Sequence, residues 1–308
     1  MLRLSFILPA YKRRYLADAI RSILAQTFKE FELVVVDDCS PEDLKGVLAE
    51  FSDSRLKYMC NERNLGGGNL VAAWNKAMSY AQGEWCVLAS DDDLYHPKFA
   101  ESLLALAERY PQCEVVHCRI GIIDEKGELT KVAEKRPEFE SCADLLYARG
   151  VKRCLQTASE FMFRREAFAR IGGFVNFPLA WYSDDATWLS LARDNGIVCS
   201  PAVLFFWRYS GINISSRFDV TSGKIAAGEE YKKWLTYFIA TIKPSSEEDQ
   251  KVLKFAGNMV SEYVDQQTLF DLDDTKFWSW LKIVMREPMP SRLKLRTIRN
   301  RIRKLVHL

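Results

Sequence analysis

Residues that bind zinc or staple a small fold are scarce in this chain. Its 308 residues include three histidines, and its eight cysteines are scattered with no CxxC pair. No histidine sits at ligand spacing from a cysteine pair, which argues against a zinc module, and the chain is too long for a small disulfide framework. No stretch approaches the roughly 18 apolar residues of a membrane span. The apolar run over residues 4–8 is too short for a signal peptide and lacks a small-residue cleavage site. These absences predict a cytoplasmic protein whose thiols are reduced. Internal repeats and low-complexity tracts are also missing.

What is present is a globular composition, 48% hydrophobic and 27% charged, which suits one large domain with an appendage. The net charge of +2 hides an uneven distribution. Seven of the 43 Lys and Arg, from Arg292 to Lys304, follow Glu287, and none of the 41 Asp and Glu lies beyond it. A mildly acidic body therefore ends in a basic tail.

The first half alternates strand-like and helix-like segments. Residues 4–8, 31–36, 55–60 and 85–89 read as strands. Leu16, Ala19, Ile20, Ile23 and Leu24 have helical spacing, and further helices are predicted over 41–51 and from Gly68 to about 81. Continuous apolar strands alternating with helices predict an α/β, Rossmann-like architecture, a mostly parallel central sheet flanked by helices. Beyond it the pattern predicts a helix over 97–110, strands over 114–123, 160–164 and 199–208, and a short helix over 186–195. A C-terminal helical extension follows from Gly223, broken at Lys243-Pro244.

Ligands of such sheets bind beyond the carboxyl ends of the strands, where the acidic clusters fall. Asp91, Asp92 and Asp93 end an apolar strand. Three adjacent carboxylates repel one another, so they either form a solvated turn that caps the next helix or hold a divalent cation. Asp37 and Asp38 end another strand, either as a helix cap with Ser40 or as acceptors for a ribose or a base. The turn at Asn64-Leu65-Gly66-Gly67-Gly68 permits close backbone approach but is neither a P-loop nor GxGxxG. Ser183-Asp184-Asp185 either caps a helix or supplies a general base. Arg208 follows an apolar strand, as a surface ion pair or as a cation for a leaving pyrophosphate. His96, just past the acidic turn, is either an ordinary loop residue or a metal or substrate contact.

In this order, Pro9-Ala10-Tyr11, Val36-Asp37-Asp38-Cys39-Ser40, Asn64-Leu65-Gly66, Asp91-Asp92-Asp93 and Ser183-Asp184-Asp185 resemble glycosyltransferase family 2, inverting enzymes with a GT-A fold. The likeness covers about residues 3–215. It implies a GT-A catalytic domain over 1–218, with a nucleotide-binding half (1–95) and an acceptor half (96–218), and a helical extension over 219–308. Pro9, Ala10, Tyr11, Asp37, Asp38, Arg63, Asn64, Gly66, Asp91 and Asp92 would then meet the nucleotide. Asp93, with Asp91, would bind Mn²⁺ or Mg²⁺, and Arg208 would face the diphosphate. Asp184 would be the catalytic base, with Asp185 as the fallback. Lys12 stands where the family usually has Asn, and Ser183 where it has Glu.

The implied reaction moves a hexose from a nucleotide sugar, UDP-linked by expectation, to a glycan or polyprenyl-linked acceptor of surface polysaccharide synthesis. Two readings compete with it. A sugar-phosphate nucleotidyltransferase usually needs a glycine-rich basic loop that Leu8-Pro9-Ala10-Tyr11 lacks, and a non-catalytic GT-A-like binding protein would need no base at all. In the tail, Leu295, Ile298, Ile302 and Leu305 recur at near-heptad spacing among cations. Residues 290–308 thus read either as a helix packed on the body or as a peripheral anchor at the inner membrane face. A basic patch confined to one end argues against nucleic-acid binding.

Overall fold

The computed structural model describes residues 2–151, 154–211, 219–287 and 289–306, and no side chains at 257 or beyond 303. The domain boundary expected after 218 and the side chains of Lys304 and Leu305 lie outside that description.

The chain opens as β1 (Leu4–Ala10), α1 (Leu16–Leu24), β2 (Phe31–Asp37), α2 (Leu44–Leu48), β3 (Leu56–Cys60), α3 (Leu70–Met78) and β4 (Trp85–Leu88). The four strands lie parallel in the order β3-β2-β1-β4. All residues of β2 and β4 are buried, as their continuous apolar runs require when both sheet faces are covered. The short β5 (Leu94–Tyr95) and α4 (Phe99–Arg109) come next, then β6 (Val115–Ile123), β7 (Leu129–Val132), β8 (Phe139–Glu140), α5 (Cys142–Gly150), β9 (Phe161–Arg164) and α6 (Arg165–Arg170). A helix α7 (Ser183–Ala192) leads to β10 (Ile197–Arg208). The sheet continues past β4 as β9-β6-β10-β5, with β9 antiparallel to both neighbours and β6 parallel to β10.

Alternation along the strands splits the core in two. Leu4, Phe6 and Leu8 pack with Leu16, Ile20 and Phe99 on one face. On the other, Ile7, Val34 and Leu88 join a cluster centred on Trp188, which stacks on Phe161 at 4.4 Å. The C-terminal helices α8 (Thr221–Ile239), α9 (Glu247–Asp274), α10 (Phe277–Arg286) and α11 (Ser291–Val306) are not a detached appendage. Ala227, Tyr231, Leu235, Val260 and Val264 belong to the same cluster as Trp188. Gly228 lets α8 approach α9, since a Cβ there would meet Val264 at 2.7 Å. A third cluster holds Trp280, Ile283 and Val284 of α10 and Leu293 of α11.

Two local readings are corrected, and one helix has no counterpart in the sequence pattern. The helix expected over 41–51 shrinks to α2, because Asp43 accepts from the Gly46 N–H at 2.8 Å and starts the helix after Pro41. The helix expected from residue 186 begins at Ser183, so Asp184 and Asp185 fall inside its first turn. Helix α5, unmarked by apolar periodicity, is set by a capping box in which Ser141 and Asp144 satisfy each other's backbone N–H groups.

Candidate active site

Beyond the carboxyl ends of β1, β2 and β4 lies a cavity of about 730 Å³. Pro9, Tyr11, Lys12, Asp38, Asn64, Gly66, Asp91, Asp92 and Asp93 all line it. The loops are tied to one another by the acids. Asp38 accepts from Asn61 Nδ2 at 2.7 Å and from the Leu65 and Gly66 N–H groups, so it clamps the glycine turn. A side chain at Gly66 would press on that carboxylate, 3.0 Å from its Cβ position. Asp91 Oδ2 accepts from the N–H groups of Tyr11 and Lys12 at 3.0 and 2.9 Å, closing the end of β1 over the acidic turn.

Four expected contacts are placed elsewhere. Asp37 is buried beside the cleft, accepting from the Tyr58 hydroxyl at 2.7 Å and the Ser40 N–H at 2.8 Å. Ala10 is buried, and its carbonyl accepts from the Asp38 N–H. Arg63 is exposed and outside the cavity lining. Arg208, expected at the diphosphate, is 2% exposed and sits behind the acidic turn. Its guanidinium donates to the carbonyls of Asp92, Asp124 and Glu125 and lies 4.3 Å from the Tyr15 ring, while its N–H donates to Asp93 Oδ1 at 2.9 Å. A buried guanidinium engaged with carbonyls fixes the turn's shape. His96 is a loop residue, with Nδ1 accepting from the Lys98 N–H at the start of α4.

Burial and the neighbouring carboxylate raise the proton affinity of Asp91 and Asp93. Asp91 is pushed up to about 6 by burial and by Asp92, against the two N–H groups that oppose the shift. Asp93 is raised well above the usual carboxylate range by burial and by Asp92. Carboxylate oxygens grouped at the edge of a cavity fit a hard divalent cation. Mg²⁺-type sites typically use one or two carboxylates completed by substrate phosphates. Among the described residues no group of three or more His, Cys, Asp or Glu side chains is placed to hold a metal ion.

A second cavity, about 480 Å³, adjoins the first, and Leu70, Trp74, Thr157, Ala158, Leu179 and Trp207 line both. Asp184 and Asp185 line the second. The two acids differ in their partners. Asp185 is bound bidentately by Arg149 of α5 at 2.8 Å and by Gln156 Nε2 at 2.8 Å. Asp184 has no side-chain donor among these bonds. Burial and the neighbouring Asp185 push it up to about 7, against Arg149 and the helix-start N–H groups, which lower it. Ser183 is buried, with its Oγ accepting from the Phe177 N–H at 3.1 Å, so it anchors the preceding strap.

That strap carries stored strain. Leu179, Ala180 and Tyr182 all adopt the left-handed backbone region, at φ 60°, 56° and 67°. Non-glycine residues there cost of order 1–3 kcal/mol each and persist where surrounding packing over-determines them. Here Tyr182 stacks on Tyr231 of α8 at 4.8 Å, with rings 3° from parallel.

Three residues at or beside the site escaped sequence reading. Glu160 is fully buried, accepts from the Thr157 N–H and Oγ1, and is raised to about 8 by its burial. Arg149 and Tyr263 come from helices distant in sequence, and only the capping box at Ser141 hinted at the first. Arg149→Met leaves Asp185 with Gln156 alone in a buried place. A loss of about 3–5 kcal/mol is expected, read as a lower urea midpoint.

With the geometry in place, comparison with known proteins is informative. The profile of "Glycosyl transferase family 2" matches residues 5–172. Over 220 residues the chain is 27% identical to the Escherichia coli UDP-Glc:alpha-D-GlcNAc-diphosphoundecaprenol beta-1,3-glucosyltransferase WfgD, covering 69% of this chain and 79% of WfgD. Two further relatives are spanned over 42% and 60% of their length. Among solved structures, S. aureus TarS in complex with UDP-GlcNAc superposes with a TM-score of 0.65 at 17% identity, covering 88% of this chain and 80% of that one. The Pyrobaculum calidifontis mannosyltransferase PcManGT, in complex with GDP-Man and Mn²⁺, superposes at 0.59 and 15% identity, covering 96% and 79%. These two likenesses speak for a GT-A fold. A profile match over more than half of the residues, together with that fold, establishes that this chain belongs to glycosyl transferase family 2.

Proposed function

We propose that the protein transfers a hexose from a nucleotide sugar, UDP-linked, to a hydroxyl of a glycan or polyprenyl-linked acceptor, with inversion, in surface polysaccharide synthesis. The observation that carries this reading is the joining of the two cavities. The acidic turn of Asp91–Asp93 and the carboxylate of Asp184 open onto spaces that share six lining residues. WfgD, named for a UDP-Glc donor and a GlcNAc-diphosphoundecaprenol acceptor, supports the choice of substrates.

The larger cavity takes the nucleotide, with Tyr11, Asp38, Asn64 and Gly66 around it. Asp93, with Asp91, would hold Mn²⁺ or Mg²⁺, which when bound offsets the charge of the departing diphosphate. Asp184 accepts the proton of the acceptor hydroxyl. That oxygen forms the new bond to the anomeric carbon as the bond to the nucleotide diphosphate breaks on the opposite face. A carboxyl group held near 7 is suited to this, since a base works best with a pKa near the working pH. Asp185 is held through both oxygens by Arg149 and fixes the helix start. Incubation with UDP-sugars, acceptor glycans and Mn²⁺ should release UDP and give a product of inverted anomeric configuration by NMR. Turnover of a nucleoside triphosphate with a sugar phosphate would replace this reading with nucleotidyl transfer.

A membrane surface is proposed as the place of action. Among the described residues no helix is long and apolar enough to cross a membrane. Helix α11 packs on the body through Leu293 and Thr297, yet exposes Leu295, Ile298 and Ile302 beside exposed Arg296, Arg299 and Arg303. Helix α10 adds Trp278 and Met285, 77% and 73% exposed, near Lys282 and Arg286. Apolar stripes flanked by cations suit an anionic bilayer face. Removing 290–308 would uncover the Trp280 cluster, so Leu295→Glu/Ile302→Glu is the cleaner variant. Flotation with vesicles rich in phosphatidylglycerol, lost in that variant and in high salt, is the expected result. Equal flotation of both proteins would discard the anchor.

A further inference from the structure

The cavity at Asp184 has a wall that neither the motifs nor the reaction accounts for. Tyr263 and Gln267 of α9 line it, so the C-terminal extension reaches the site. They stand one helical turn apart on the same helix face. Tyr263 is held in place from two sides. Tyr182 meets it edge-on at 6.5 Å, and the Arg149 guanidinium lies 5.7 Å from its ring centre. Arg149 is itself fixed by both oxygens of Asp185. The wall is therefore rigidly coupled to the helix that presents the candidate base.

Trp74, Trp181 and Trp207 line the same cavity. Aromatic faces with a few amide and carboxylate groups between them are what a pyranose ring requires. Its C–H faces are apolar and its rim carries hydroxyls. A volume of about 480 Å³ holds more than a single side chain could claim and is ample for a sugar ring.

We propose that α9 supplies one wall of a pyranose subsite on the acceptor side, with Tyr263 packing against the acceptor ring and Gln267 reading its hydroxyls. This rests on the reading of Asp184 as the base, and it assigns acceptor choice to the C-terminal extension. Residues from a helix outside the matched range then share in selecting the sugar with residues inside it, such as Trp74.

The test uses the full chain with UDP and Mn²⁺ and four methyl pyranosides as probes: gluco, galacto, manno and N-acetylglucosamine. Tryptophan fluorescence reports binding, since three tryptophans line the cavity. At least one glycoside should quench saturably. Tyr263→Ala should weaken that binding about ten-fold, as expected for a lost aromatic contact, and Tyr263→Phe should restore it. Gln267→Ala should alter the ranking of the four sugars. UDP affinity by calorimetry should move less than about two-fold, which separates a local effect from a damaged fold. If Tyr263→Ala does not fold, Gln267→Ala decides alone. The inference is overturned if no glycoside binds the wild type, if both variants bind like the wild type, or if UDP affinity falls in parallel. It also falls if decyl phosphate occupies the cavity and no sugar does. Failure of the base assignment would show separately, as an active Asp184→Asn enzyme with these glycoside results intact.

Discussion

Asp184→Asn is expected to lower kcat by on the order of 10²–10⁴-fold while UDP-sugar and Mn²⁺ still bind, because the isosteric amide cannot take a proton. The same group sets the pH profile. Its carboxyl is raised to about 7, so it is mostly protonated and inactive below that value and ionised above it. Activity should therefore climb about ten-fold per pH unit up to about 7 and then level. Arg149 now lowers the proton affinity of Asp184, so Arg149→Met should move that limb to higher pH as well as destabilise the fold. Asp185→Asn should be damaging for a different reason, through its pairing with Arg149. Stopped UDP-release assays across pH, with donor affinity measured by calorimetry, separate the two. An Asp184→Asn enzyme with wild-type turnover would sink the assignment of the base.

Asp93 carries the second large effect. Asp93→Asn is expected to cut transfer by on the order of 10²–10³-fold, since electrophilic stabilisation of the leaving group is worth several kcal/mol. The amide is the informative replacement. Asp93 Oδ1 accepts from the Arg208 N–H at 2.9 Å, and an asparagine can keep that bond while losing the charge. Asp93→Ala would lose both and leave a buried N–H unpaired, confusing a metal defect with a folding defect. In thermal melts, UDP with Mn²⁺ should stabilise the wild type and give a much smaller shift in Asp93→Asn, because only ligand bound to the native state raises the midpoint. Equal shifts in both proteins would remove Asp93 from the metal site.

Much of this site was legible from neighbouring residues. A continuous apolar run such as 31–36 forces a strand buried on both faces, and charged residues can only follow where the strand leaves the core. That is why Asp38 and the 91–93 turn were expected at the cleft, and why both line it. The same logic failed for Arg208, because a basic residue after a strand can face either the cleft or the back of the turn. The carbonyls of Asp92, Asp124 and Glu125 drew it to the back.

Alternation of apolar segments, the acids that close them and the order of the short motifs are local properties, carried by residues a few positions apart. They were enough for the α/β class, the GT-A likeness and the acidic rim. The different surroundings of two adjacent aspartates come from Arg149, 36 residues away from Asp185, which pairs with one and leaves the other in a desolvated place. One wall of the cavity at Asp184 comes from α9, farther still along the chain. Desolvation and pairing depend on which surfaces meet, and only the folded chain brings α5, α7 and α9 into contact.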